Sequence, residues 1–99
     1  MPTYVSLFNY TDQGIRNIKD SPKRLDASKK ALKKLGGEMK AFYLTQGNFD
    51  GVLIFEVPNE EALTKFLLTT GAAGSVRTTT LRAYTEDEFR KHIAALSAH

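Results

Sequence analysis

Residues 42–57 carry two apolar runs, Phe42-Tyr43-Leu44-Thr45 and Gly51-Val52-Leu53-Ile54-Phe55-Glu56-Val57, joined through Gln46-Gly47-Asn48-Phe49-Asp50. Aromatic and branched residues on both sides of a short run of turn formers read as a β-hairpin, with strands at 38–45 and 51–57 closed by Pro58. Turn mechanics account for Gly47 and Asp50, because glycine permits positive φ and aspartate can accept hydrogen bonds from nearby backbone amides. The flanking segments decide what this hairpin belongs to.

Residues 3–10 alternate Tyr4, Ser6 and Phe8 with Val5 and Leu7, the period of a strand, and Thr11-Asp12-Gln13-Gly14 breaks it. A short helical turn is predicted over 15–18. A longer helix follows, with Ser21 as N-cap and Pro22 at the first helical position. Its apolar face holds Leu25, Ser28, Leu32 and Leu35, with Ala31 at the edge, and Gly36-Gly37 ends it. After the hairpin, Asn59 caps a second helix with Glu60 and Glu61 in its first turn and Leu63, Phe66, Leu67 and Thr70 turned inward. Gly71-Ala72-Ala73-Gly74 is expected to be a flexible break before a threonine-rich strand at 75–84. Thr85 and Glu88 then form a capping box, and Phe89, Ile93 and Leu96 are expected to face inward from a C-terminal helix.

This order is the ferredoxin-like βαββαβ pattern with an added C-terminal helix, an α+β fold forming a single domain over 1–99. Its helices cover one face of a four-stranded antiparallel sheet, leaving the other for solvent, a ligand or another subunit. Placing Val5 and Leu7 toward the helices sends Tyr4, Ser6 and Phe8 to the open face; the hairpin is equally two-sided, with Ala41, Tyr43, Val52 and Ile54 against Phe42, Leu44, Leu53 and Phe55. Apolar residues on both faces predict a homo-oligomer, most economically two sheets closed into a dimeric α/β barrel.

The chain is 41% hydrophobic and 25% charged, near globular averages, and has no apolar run long enough to span a membrane. A basic N-terminal segment with a long apolar stretch is missing, so a cytoplasmic protein is the default expectation. Zero cysteines exclude disulfide and thiolate chemistry, and two histidines without cysteines give no metal-ligand cluster. Gly71-Ala72-Ala73-Gly74 lacks the lysine and helix start of a phosphate loop, so no cofactor is implied. The net charge of +3 and pI near 9.3 raise nucleic acid as a partner, but Lys23, Lys29, Lys30, Lys33 and Lys34 read as the solvated face of one helix.

The chain resembles the GYD-domain family almost end to end. The resemblance is carried by Tyr4-Val5-Ser6-Leu7 with Thr11-x-x-Gly14-Ile15, by Ser21-Pro22-x-Arg24, by Gly36-Gly37, by Phe42-Tyr43-Leu44-Thr45 and by Val76-Arg77-Thr78-Thr79-Thr80-Leu81-Arg82-Ala83-Tyr84. The turn that gives the family its name reads Gly47-Asn48-Phe49-Asp50 here, keeping the ring and losing the tyrosine hydroxyl. The resemblance implies a fold like the dimeric α/β barrels and supplies no reaction.

Eight residues are candidates for ligand contacts: Tyr4, Arg24, Tyr43, Asp50, Glu56, Arg77, Arg82 and His92. Arg24 lies beside Ala31 and Leu35, outside the lysine sector, placed for a structural ion pair or an anionic ligand. Arg82 shares a strand face with Thr78, Thr80 and Tyr84, and Arg77 the opposite face with Thr79 and Leu81. Whichever set lines a barrel interior brings a guanidinium and hydroxyls to a partly apolar cavity, with Glu56 as the partner a buried arginine needs; a solvated or intersubunit salt bridge is the plainer reading. His92 sits at the margin of the last apolar stripe, where boundary packing competes with a role as base or haem ligand, and His99 is terminal. Tyr4, Tyr43, Tyr84 and Phe8 suit either a dimer core or an aromatic substrate.

Three functions follow as expectations. The first is a homodimeric barrel that binds a small organic ligand or acts as an accessory protein. The alternative is an enzyme, a cofactor-independent oxygenase or isomerase drawing on Tyr43, Asp50, Arg82 or His92, which rests on fold analogy. RNA binding is disfavoured because residues 51–57 lack the basic and paired aromatic positions of an RNP1 strand.

Overall fold

A computed structural model describes residues 1–97, so His99 lies outside the described residues. The elements run β1 (Thr3–Tyr10), α1 (Asp12–Arg16), a 3₁₀ turn (Ile18–Asp20), α2 (Ser21–Lys34), β2 (Glu38–Leu44), β3 (Gly51–Glu56), α3 (Glu60–Ala73), β4 (Val76–Ala83) and α4 (Glu86–Ser97). The strands form one antiparallel sheet in the order β2-β3-β1-β4, so each helical crossover passes over a central strand, the ferredoxin-like arrangement. No helix among the described residues is long and apolar enough to cross a membrane.

The inner face is the reverse of the one first considered. Tyr4, Ser6 and Phe8 of β1 and Leu53 and Phe55 of β3 are buried beneath α2 and α3, with Leu32, Ala62 and Phe66 descending from the helices. Ring size decides this. Phe55 packs 5.8 Å from Tyr4 and 5.0 Å from Phe66, and Phe8 stacks 6.1 Å from Phe42. Large rings fill the layer between sheet and helices, while the smaller Val5, Leu7, Val52 and Ile54 are left on the outer face. Ser6 is tolerated in the core because its hydroxyl bonds Thr80 Oγ1 at 3.0 Å. Tyr4 and Phe8 therefore belong to the protomer's own core and do not face outward from the sheet.

Helix ends differ from expectation where local chemistry was misjudged. Thr11, whose hydroxyl accepts from Gly14 N, starts α1 at Asp12, ahead of the predicted turn. Ser21 does not cap α2: the N-cap is Asp20, without a side-chain bond, and the Ser21 hydroxyl pairs with Tyr10 OH at 3.0 Å. The segment read as a flexible break is the end of α3, which its alanines extend to Ala73 before Gly74 stops it. Asn59 caps α3 as predicted, its Oδ1 accepting from Ala62 N at 2.8 Å.

The capping box of α4 also forms. Thr85 N donates to Glu88 Oε1 at 2.9 Å and Glu88 N to Thr85 Oγ1 at 3.2 Å. The backbone bond from Thr85 holds the Glu88 pKa below the ordinary glutamate value. A lowered folded pKa means that this contribution is present above the unfolded value and lost as pH falls through the folded one. In an acid titration by far-UV circular dichroism, the parent is expected to lose a helical step that Glu88→Gln lacks; identical acid curves would contradict this.

The apolar stripe of α4 does not face inward. Phe89, Ile93 and Leu96 are 57%, 48% and 70% exposed, because α2 and α3 already occupy the inner face and α4 runs on past β4. The described chain is correspondingly elongated, 54 × 31 × 17 Å.

Candidate functional site

Helices α2 and α3 part over one end of the sheet. There the facing positions are small: Ala27, Ser28 and Ala31 on α2, and Thr69, Thr70 and Ala73 on α3. Short side chains cannot fill the layer that Leu32 and Phe66 fill elsewhere, and a cavity of about 220 Å³ results. Phe8, Leu53 and Phe66 form its buried floor, whereas Ala27, Thr69 and Ala73 are exposed at its mouth. Its polar groups include the hydrogen-bonded Tyr10 and Ser21 hydroxyls, Arg24 and Ser75.

Of the predicted candidates, Arg24 lines this cavity. Among the described residues it makes no ion pair; Nη1 donates to Asn17 O at 3.0 Å and Nη2 to Gly14 O at 3.3 Å, tying α2 to α1. Of the other candidates, Tyr4, Arg82 and His92 are linked in a row through Tyr84, away from the cavity lining. Tyr4 is buried against Phe55, with the Arg82 guanidinium 5.7 Å from its ring centre. Arg82 lies 4.4 Å from the Tyr84 ring and donates to the carbonyls of Thr3 and Ala83, and Tyr84 meets His92 edge-on at 4.9 Å.

The proposed pairing of Glu56 with a buried arginine does not occur. Glu56 lies opposite Thr3 and Arg82 opposite Tyr4, so the two side chains leave the sheet on opposite faces. Arg77 shares the outer face but sits opposite Asn9, at the other end of β1. Glu56 instead takes Lys40 at 3.7 Å, and Lys40 also bonds Glu38 at 3.3 Å. The Lys40 pKa is raised, first by the hydrogen bond it donates to Glu38 and then by the charges of Glu38 and Glu56.

Asp50 holds the hairpin turn to the central strand. Its Oδ2 accepts from Tyr10 N at 2.9 Å, its own N donates to Phe8 O at 2.8 Å, and Thr45 N donates to Asp50 O at 2.9 Å. Gly47 takes φ 117°, as expected of the turn. A second anchor joins α1 to β4: Thr11 Oγ1 donates to Gly74 O at 2.5 Å and Thr11 N to Ser75 O at 3.1 Å. The Asp50 turn and the Thr11–Gly14 segment therefore both act as structural ties.

On the outer face, Tyr43, Val52, Leu7 and Thr79 form one cross-strand row and Ala41, Ile54, Val5 and Leu81 the next. Tyr43 is 60% and Leu81 51% exposed, and no described element covers this face.

The GYD-domain sequence pattern matches residues 4–93. A glutamine synthetase and cystathionine beta-lyase binding protein of Thermus thermophilus is 30% identical over 84 residues, covering 84% of this chain and 88% of the relative. The crystal structure of FFRP-DM1 has a TM-score of 0.61 at 17% identity, over 85% of this chain and 100% of its own. A hypothetical protein, PHS023 from Pyrococcus horikoshii, has 0.56 at 19%, over 87% and 93%. At such identities these two structures speak for the fold. The Asp50 turn, the Thr11–Gly14 anchor and all of the sheet but Thr3 fall within the matched span, and the chain belongs to the GYD-domain family.

Proposed function

We propose that the protein is a homodimeric accessory protein: two copies close their outer sheet faces into an α/β barrel, and the dimer acts by binding other proteins. The observation that carries the dimer is the uncovered pair of apolar rows centred on Val5, Leu7, Val52 and Ile54. A contiguous apolar patch of this kind is a contact surface in most proteins that have one, and a two-fold axis lets one patch cover its own copy. The exposed stripe of α4 supports the same reading, since an amphipathic helix gains little stability without a surface to pack on.

The class of partner comes from the Thermus relative, whose name states that it binds two metabolic enzymes. The alternative enzymatic reading draws on Tyr43, Asp50, Arg82 and His92; Arg82 and His92 meet at the Tyr84 ring, but Tyr43 on the outer face and Asp50 in the hairpin turn stand apart from them, so the four form no single site. Binding therefore accounts for the geometry better than catalysis.

Light scattering coupled to size exclusion is expected to give a mass twice the 11.0 kDa of one chain. A monomer at every concentration would remove the barrel. Biolayer interferometry against glutamine synthetase and cystathionine beta-lyase of the same organism is expected to show saturable binding to at least one; binding to neither would remove the partner class and leave the dimer standing.

A further inference from the structure

The cavity between α2 and α3 has the make-up of a ligand site, independently of any dimer. Its walls are mainly apolar, and its 220 Å³ exceeds the roughly 150 Å³ with which an engineered apolar cavity takes up benzene. Interiors pack densely, and here three aromatic rings, Phe8, Phe42 and Phe66, line unfilled space.

Two of its lining polar residues, Arg24 and Ser75, each touch Gly14. Ser75 is 7% exposed and lines the cavity, yet its hydroxyl has no protein partner among the described residues. No side-chain polar atom that is sealed from solvent lacks a partner among them, so this hydroxyl keeps accessible surface, on a residue that lines the cavity. Arg24 has spent two of its five N–H donors on the Gly14 and Asn17 carbonyls and is matched by no carboxylate among the described residues. Gly14 is packed directly on Ser75, so Arg24 and Ser75 flank the same residue. A half-buried guanidinium with donors to spare and an unpartnered hydroxyl lining the same cavity are complementary to a carboxylate.

We propose that this cavity binds a small monocarboxylic acid with an aromatic or branched aliphatic body, its carboxylate held by Arg24 and Ser75 and its body seated on Phe8, Phe42 and Phe66. The mouth at Ala27, Thr69 and Ala73 admits it between the helices.

Benzoate and its neutral analogue benzamide test the site by amide chemical-shift titration of the whole chain. Benzoate is expected to give saturable shifts at Phe8, Arg24, Phe66 and Ser75. Arg24→Gln should weaken benzoate by roughly tenfold or more, the worth of a charge-assisted bond, and leave benzamide unchanged. Arg24 also ties two helices, so a second variant guards against misfolding: Ser28→Leu fills the cavity from α2 and is expected to abolish benzoate shifts with a folded spectrum retained. Shifts confined to the exposed lysines of α2, equal benzoate affinity in Arg24→Gln, or undiminished binding in folded Ser28→Leu would each overturn the proposal.

Discussion

Gly14→Ala is expected to cost about 3 kcal/mol of folding stability, the upper end of what overpacking a tight contact usually does. A β-carbon at position 14 would lie 1.9 Å from Ser75 O, and both atoms belong to rigid backbone. Neither can rotate away. The Ser75 carbonyl also accepts the Thr11 amide, and the Thr11 hydroxyl receives the Gly14 amide while donating to Gly74, so relieving the clash breaks the anchor between α1 and β4. In a domain of about this size 3 kcal/mol corresponds to a midpoint lower by roughly 12–24 °C. Gly71→Ala is the control: nothing lies within 4 Å of its would-be β-carbon, and alanine in a helix gains about 0.5–1 kcal/mol over glycine. Thermal and urea unfolding of both variants decide the matter, and a Gly14→Ala protein as stable as its parent would show that the anchor is not a close contact.

The element order was legible because periodicity and turn chemistry act locally. The period-two run of β1, the Asn59 cap, the Thr85–Glu88 box and the Thr45–Asp50 bonds of the hairpin turn each depend on residues within a few positions of one another. Which face of the sheet turns inward was not legible, because Val5 and Leu7 are as apolar as Tyr4 and Phe8; only the depth of the layer under the helices selects the larger rings. The fate of α4 was hidden for a related reason. An amphipathic stripe requires a surface but does not say whether its own chain supplies one.

The cavity was the least legible feature. Ser28 within the apolar face of α2 was a signal, and so was the run of small residues toward the end of α3. A void arises only where such residues on two separate helices confront each other, which needs the tertiary arrangement. Arg24 was selected for its position beside the apolar face, and it does line the cavity, but the ion pair expected for it is replaced by carbonyls. Strand alternation alone allows Glu56 to meet Arg82; the register, which the sequence does not show, puts them on opposite faces.

Substituting Val5→Glu and Ile54→Glu together is expected to convert the protein to a monomer. The two residues are direct neighbours across β1 and β3, at the centre of the outer face, so a two-fold assembly would bring four carboxylates into one dry layer. An unpaired charge buried in an interface costs several kcal/mol, and two per subunit should weaken association by at least roughly a thousandfold. Within a single protomer both side chains point away from the helices, so the fold should survive with a dispersed amide spectrum and little change in far-UV ellipticity. A variant that is folded and still twice the chain mass would rule out pairing through this face. The same variant separates the two binding proposals, because the cavity lies on the helix side of the sheet and Val5 and Ile54 do not line it. Benzoate should therefore bind the monomer as it binds the parent, whereas enzyme binding that depends on the assembled barrel should be lost with the dimer.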